Sequence, residues 1–223
     1  MNHRTRIKIC GLTRIEDVQD AVAAGADALG FVFYPKSPRY VTPRAAAELI
    51  SVVPPFVTTV GLFVNAAQQE VIDVAEQTSF SMLQFHGDET PEQCAAAAES
   101  INRPFMRAMR IKQETTGSDL LECERYYRAV SRLFSGLLLD SHVEGYGGAG
   151  KVFDWSLIPE ELGLRAVLSG GLSALSVADA IAQVHPYAVD VSSGVEQSKG
   201  VKDAAKIRAF IETVRAADQR AGQ

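Results

Sequence analysis

Cysteine is scarce in this 223-residue chain, which has only Cys10, Cys94 and Cys123. An odd number at wide spacing resembles neither a zinc site nor a disulfide framework. No metal and no cross-link is therefore expected to hold the fold, and a reducing cytoplasm is implied. A basic field is lacking as well. With 22 Lys and Arg against 27 Asp and Glu the formal net charge is -5. Neither nucleic acid nor an anionic membrane is a favoured partner, and any phosphate must be captured locally by a few well-placed groups. A small anionic metabolite fits that balance better. There is also no long hydrophobic run at the start. Met1 to Arg6 leads into only a few apolar residues before Gly11, too short for a signal peptide or a membrane span. The protein is expected to stay where it is made.

Short apolar runs are present instead, and they recur. Ile7–Cys10, Ala28–Phe33, Val57–Phe63, Met82–Phe85, Phe105–Met109, Gly136–Asp140, Ala166–Ser169 and Ala188–Val191 each fit a strand buried on both faces. Segments of helical character separate them: Ile15–Ala24, Pro43–Val52, Ala66–Gln77, Pro91–Ser100, Ser118–Arg128, Ser173–Val184 and Lys202–Ala217. Between the sixth and seventh strands, Asp154–Ile158 allows only a short helix. Alternation without a linker or low-complexity tract predicts one α/β domain over residues 1–223, with a parallel sheet closed by right-handed crossovers. Eight strand–helix units favour a single (β/α)8 TIM barrel over an open doubly wound sheet. No GxGxxG turn follows the first strand, which weakens a dinucleotide-binding reading.

In such a barrel the chemistry belongs to the strand C-terminal ends and the loops that follow them. Those ends carry Cys10, the run Tyr34 to Arg39, Asn65, His86-Gly87-Asp88, Arg107 with Arg110, Asp140, Gly170-Gly171, and Asp190 with Ser192-Ser193-Gly194. Gly170, Gly171, Ser192, Ser193 and Gly194 follow strands seven and eight, the usual barrel phosphate position. Small side chains there let backbone N–H groups and hydroxyls approach an anion. Cys10 and Asp140 are candidates for a base and an acid at the mouth. A lone cysteine near a strand is otherwise a small buried hydrophobe.

The strings around these residues carry a resemblance. Lys8-Ile9-Cys10-Gly11-Leu12-Thr13 resembles the opening motif of the phosphoribosylanthranilate isomerases. In order along the chain, further segments resemble that family: Gly30 to Phe33 with Pro35 to Arg39, Gly61 to Asn65, Leu83 to Glu89, Leu137 to Ser141, Gly147 to Lys151, Phe153 to Trp155, Leu168 to Leu172, Val189 to Glu196 and Lys199 to Asp203. One departure is Ala149, where the family usually has threonine. The resemblance implies an Amadori rearrangement of N-(5-phosphoribosyl)anthranilate in tryptophan biosynthesis, with no cofactor and a phosphorylated aminosugar as substrate. It implies that Asp140 protonates the ring oxygen as the sugar opens, that Cys10 removes the C2′ proton, and that Arg39 pairs with the anthranilate carboxylate.

Acid and base roles lead to opposite expectations. Burial should raise the Asp140 carboxyl, whereas a basic cysteine should fall below its ordinary value. His86 is a candidate for the anthranilate pocket or for a structural hydrogen bond. Asp190 is a candidate for orienting substrate or for fixing the phosphate loops. Arg107 is a candidate for charge at the mouth or for an ion pair at the barrel end. Gly145, Gly147, Gly148 and Gly150 suggest a lid beside Asp140. Two other functions compete: the related histidine-pathway aminoaldose isomerase, in which an aspartate stands at the Cys10 position, and a phosphosugar-binding barrel without catalysis. The chain is expected to be a monomer or a homodimer.

Overall fold

The computed structural model describes residues 4–141 and 153–221. The glycine loop proposed as a lid, with Ala149, lies outside the described residues. Eight parallel strands form a closed barrel in chain order: β1 Arg6–Cys10, β2 Ala28–Val32, β3 Thr58–Phe63, β4 Met82–Phe85, β5 Phe105–Ile111, β6 Phe134–Ser141, β7 Val167–Leu168 and β8 Ala188–Val191. Between and after them run α1 Ile15–Ala24, α2 Pro43–Ser51, α3 Gln68–Gln77, α4 Pro91–Ser100, α5 Gly117–Val130, α6 Glu160–Gly163, α7 Val177–Val184 and α8 Ala204–Ala221. A 3-10 turn, Trp155–Leu157, precedes α6.

The period of two along each strand sorts residues between the barrel interior and the ring of helices. Outward positions such as Ile7, Ile9, Phe31, Phe63, Phe85 and Phe105 join the main core against the helices. Val60, Met106, Ala108, Leu138, Val167 and Ala188 fill the interior as a separate layer. Nearer the mouth, Cys10, Val32, Leu62 and Val64 form a third apolar group.

Several helix starts follow from local chemistry. In α4, Thr90 and Gln93 make a reciprocal capping box and Pro91 takes the first turn, where no N–H is needed. In α5, Thr116 and Asp119 do the same. Gly25 ends α1 at φ 95°, a left-handed cap that favours glycine.

Fully buried Phe105 packs its ring against Phe85 at 5.8 Å and Phe134 at 5.6 Å, centroid to centroid. Phe105→Ala is expected to destabilise the fold by roughly 3–5 kcal/mol, because the cavity cannot collapse inside such an aromatic cluster. The shift of the urea midpoint at unchanged slope measures it.

Most boundaries differ from expectation by one or two residues, and three of the differences bear on the site. The helix expected from Ser173 starts at Val177, because Ser173 and Ser176 first form a turn in which the Ser173 N–H donates to Ser176 Oγ. The strand expected to end at Met109 continues to Ile111, so Arg110 lies within β5, paired in register with Asp140. The helix expected from Lys202 starts at Ala204, with the Asp203 carboxylate accepting from the N–H groups of Ala205 and Lys206. Lys202 instead belongs to a small antiparallel hairpin, β9 Glu196–Ser198 with β10 Val201–Lys202. Gly200 makes its turn at φ 81°, where a Cβ would lie 2.7 Å from the Pro38 carbonyl oxygen. The hairpin therefore sits on the loop that carries Arg39.

Candidate active site

One cavity opens at the C-terminal mouth of the barrel. Cys10, Arg39, His86, Asp140, Gly170, Gly171, Asp190, Ser192 and Ser193 all line it. Gly194 does not line it. A Cβ on Gly194 would fall 2.0 Å from the Leu172 carbonyl oxygen, so the missing side chain lets the loop after β8 pack against the loop after β7. Arg107 is also outside. It pairs with buried Glu89 at 2.8 Å and donates to the Gly87 carbonyl at 2.9 Å, holding the loop that follows His86.

On one side of the mouth, His86 joins two elements. Its Nε2 lies 3.0 Å from Asp140 Oδ2, and its Nδ1 lies 3.0 Å from the amide nitrogen of fully buried Gln84. The imidazole is thus held at both nitrogens and fixes the Asp140 carboxyl from β6. Gly170 stands close behind that carboxyl. It adopts φ 81°, and a Cβ there would meet Asp140 Oδ1 at 2.8 Å and the Ser141 nitrogen at 2.3 Å. Gly171 follows at φ 69°. Two successive left-handed residues turn the chain away from β7 and let backbone line the cavity.

The other side is ionic and buried. Lys8, one inward position below Cys10 on β1, pairs with Asp190 at 2.7 Å. The second Asp190 oxygen accepts from Ser169 Oγ at 3.0 Å. Arg39 Nε and Nη2 donate to the two oxygens of Glu196 at 2.7 and 2.8 Å. Lys202 Nζ donates to Glu196 at 2.9 Å and to the Ser192 carbonyl at 3.1 Å, tying the hairpin to the loop after β8. Gly11, which follows Cys10, leaves room for Arg39: at φ 77° its Cβ would sit 2.4 Å from Arg39 Cδ.

These contacts move the titrations. Burial pushes the Cys10 thiol above its ordinary value, although Lys8 and Lys202 pull it down. The expected fall of a basic cysteine is therefore corrected: burial in the apolar group around Cys10 outweighs the nearby cations. For Lys8, burial disfavours the ammonium, but Asp190 overrides that and holds it above the ordinary value. For Glu196, burial disfavours the carboxylate, yet Arg39 and Lys202 bring it below the ordinary value.

Sequence reasoning assigns no role to Lys8, Gln84, Ser169, Glu196 and Lys202. Two of them carried a signal. Lys8 and Gln84 lie two residues before Cys10 and His86, so on a strand they share a face with those residues. A charged or amide side chain at an inward position of an otherwise apolar run needs a buried partner.

The family model for N-(5′-phosphoribosyl)anthranilate (PRA) isomerase matches residues 7–213. The chain belongs to this isomerase family. An N-(5′-phosphoribosyl)anthranilate isomerase of Herminiimonas arsenicoxydans is 66% identical over 218 residues, 98% of this chain and 96% of the relative. Among solved structures, the phosphoribosyl anthranilate isomerase of Thermotoga maritima is 42% identical with TM-score 0.83, covering 95% of this chain and 99% of that one. A phosphoribosyl anthranilate isomerase in complex with reduced 1-(o-carboxyphenylamino)-1-deoxyribulose 5-phosphate is 38% identical with TM-score 0.78, at the same coverage. Like other members of the isomerase family, the chain is an α/β barrel enzyme. Among the described residues no helix is long and apolar enough to cross a membrane, and no group of three or more His, Cys, Asp or Glu is placed to hold a metal ion.

Proposed function

We propose that the chain catalyses the Amadori rearrangement of N-(5-phosphoribosyl)anthranilate to 1-(2-carboxyphenylamino)-1-deoxyribulose 5-phosphate in tryptophan biosynthesis, in the cytoplasm. The observation that carries this reading is the meeting in one cavity of a thiol, a carboxyl fixed by an imidazole, a guanidinium and an apolar wall. In this reading Asp140 gives a proton to the furanose ring oxygen as the ring opens to a Schiff base. Cys10 removes the C2′ proton to give the enolamine. Each side chain does one proton transfer at a different atom, which suits two groups held in unlike surroundings.

Val32, Leu62 and Val64 suit the aryl ring, and Arg39, which lines the cavity while its Nε and Nη2 donate to Glu196, is the cation for the anthranilate carboxylate. Gly170, Gly171, Ser192 and Ser193 hold the phosphate, with Gly194 keeping their loops together and Lys202 steadying Ser192. The relative solved with a reduced ribulose phosphate product analogue supports a phosphorylated substrate.

Specificity tests the reading against the histidine-pathway alternative. Offered both substrates, the purified protein is expected to turn over the anthranilate with kcat/KM at least about 100-fold higher than the twice-phosphorylated aminoaldose, about 3 kcal/mol of discrimination. Preference for the aminoaldose would overturn it. For the phosphate site, Gly171→Asp is expected to raise KM at least about tenfold by placing a carboxylate against the phosphate. An unchanged KM would move the phosphate elsewhere.

A further inference from the structure

Lys8 is an unusual residue for its place. It lies inside the barrel, 3% exposed, and is not among the residues that line the cavity. A buried ion pair is weak evidence for stability, since apolar residues of similar volume do as well or better at such positions. What distinguishes the position is its neighbour. Cys10 pairs in register with Gly30 on β2, and a Cβ on Gly30 would lie 2.7 Å from Cys10 Sγ and 3.1 Å from Lys8 Nζ. The bare Gly30 backbone thus opens a notch into which the thiol and the ammonium both project. Asp190, the register partner of Lys8 on β8, holds the ammonium from the opposite side at 2.7 Å.

The wider charge around the thiol has the same sense. Lys8 from β1, Arg39 from the loop after β2 and Lys202 from β10 are cations. Asp190 from β8 and Glu196 from β9 are the carboxylates that pair with them. β2 itself presents only the uncharged Ala28, Gly30 and Val32 on this face. Within this ion-paired group, which does not include the His86–Asp140 pair across the cavity, three cations against two carboxylates leave one positive charge in excess, and a thiolate at Cys10 neutralises the group. Removing the proton from Cys10 therefore balances buried charge instead of adding to it.

We propose that Lys8 is a positioning residue that acts through Cys10: its ammonium, fixed between Asp190 and the thiol, is the counter-charge that stabilises the Cys10 thiolate. The catalytic consequence rests on the reading of Cys10 as the general base. Burial opposes ionisation of Cys10 and Lys8 is the largest influence in the other direction, so losing Lys8 leaves burial less opposed. The thiolate becomes scarcer at neutral pH, while substrate binding, in a cavity that Lys8 does not line, continues.

The test reads the thiol directly. Alkylation by iodoacetamide is followed against pH and quantified by mass spectrometry on the peptide containing Cys10, so that Cys94 and Cys123 do not contribute. In Lys8→Met the midpoint of Cys10 alkylation is expected to rise by at least about one pH unit, a tenfold loss of thiolate below the midpoint. The rising limb of kcat/KM is expected to move up with it, with KM nearly unchanged and activity recovered at high pH. A folded Lys8→Met protein with the wild-type alkylation midpoint would overturn the proposal. A raised alkylation midpoint with an unmoved kcat/KM limb would sustain the role of Lys8 and overturn Cys10 as the base. If the unpaired Asp190 prevents folding, Lys8→Met with Asp190→Asn removes both charges. Its midpoint is then compared with that of Asp190→Asn alone: a higher value supports the counter-charge role, and an equal one overturns it.

Discussion

Cys10→Ala is expected to lower kcat by at least about 100-fold, the low end of the loss when a positioned general base is removed. KM should change little, because the thiol meets a carbon-bound proton and not a binding group. The fold should survive. Cys10 packs with Val32, Leu62 and Val64 at the mouth, and losing one sulfur atom there is expected to move the thermal midpoint by no more than about 4 °C. Steady-state kinetics beside a thermal melt separate the two effects. A folded variant with most of the wild-type kcat would remove Cys10 from the mechanism. The pH dependence carries a sign. Since burial raises the thiol above its ordinary value, the base form accumulates as pH rises, and kcat/KM should climb through the alkaline range until Cys10 is ionised.

Asp140→Asn is expected to cost at least about 100-fold in kcat on the cyclic substrate, because an amide keeps the shape of the carboxyl but donates no acidic proton. His86 Nε2 still finds a partner 3.0 Å away, and Gly170 still packs behind an isosteric group, so the site keeps its geometry. The loss should be confined to ring opening. An open-chain substrate analogue is therefore expected to be turned over at close to the wild-type rate, and equal impairment on cyclic and open-chain substrates would contradict the acid role.

Much of the barrel was legible because strands buried on both faces and amphipathic helices have unlike periods, and both stand out in runs such as Ile7–Cys10 and Ile15–Ala24. Pro91 after Thr90 marked the start of α4 for the same local reason that the structure shows. Boundaries failed where a side chain intervened. Asp203 caps α8 and cuts off a helical pattern that runs unbroken from Lys202 in the sequence, and the Ser173–Ser176 turn delays α7. The ionic half of the site failed for a longer-range reason. Arg39 and Glu196 are 157 residues apart, and Lys8 and Asp190 are 182 apart. Their pairing depends on barrel closure between β1 and β8 and on a hairpin turn at Gly200, neither of which leaves a local pattern. The titration of Cys10 failed likewise, because its sign depends on how apolar neighbours and distant cations balance in three dimensions.

Isomerase activity itself is tested most directly by the fluorescence of the substrate. Phosphoribosylanthranilate is generated in place from anthranilate and phosphoribosyl pyrophosphate by a coupling transferase, and the protein is then added. The expected result is a loss of aryl-amine fluorescence at a rate proportional to the concentration of protein and at least about 100-fold slower with Cys10→Ala. Decay no faster than that of the blank would contradict the function.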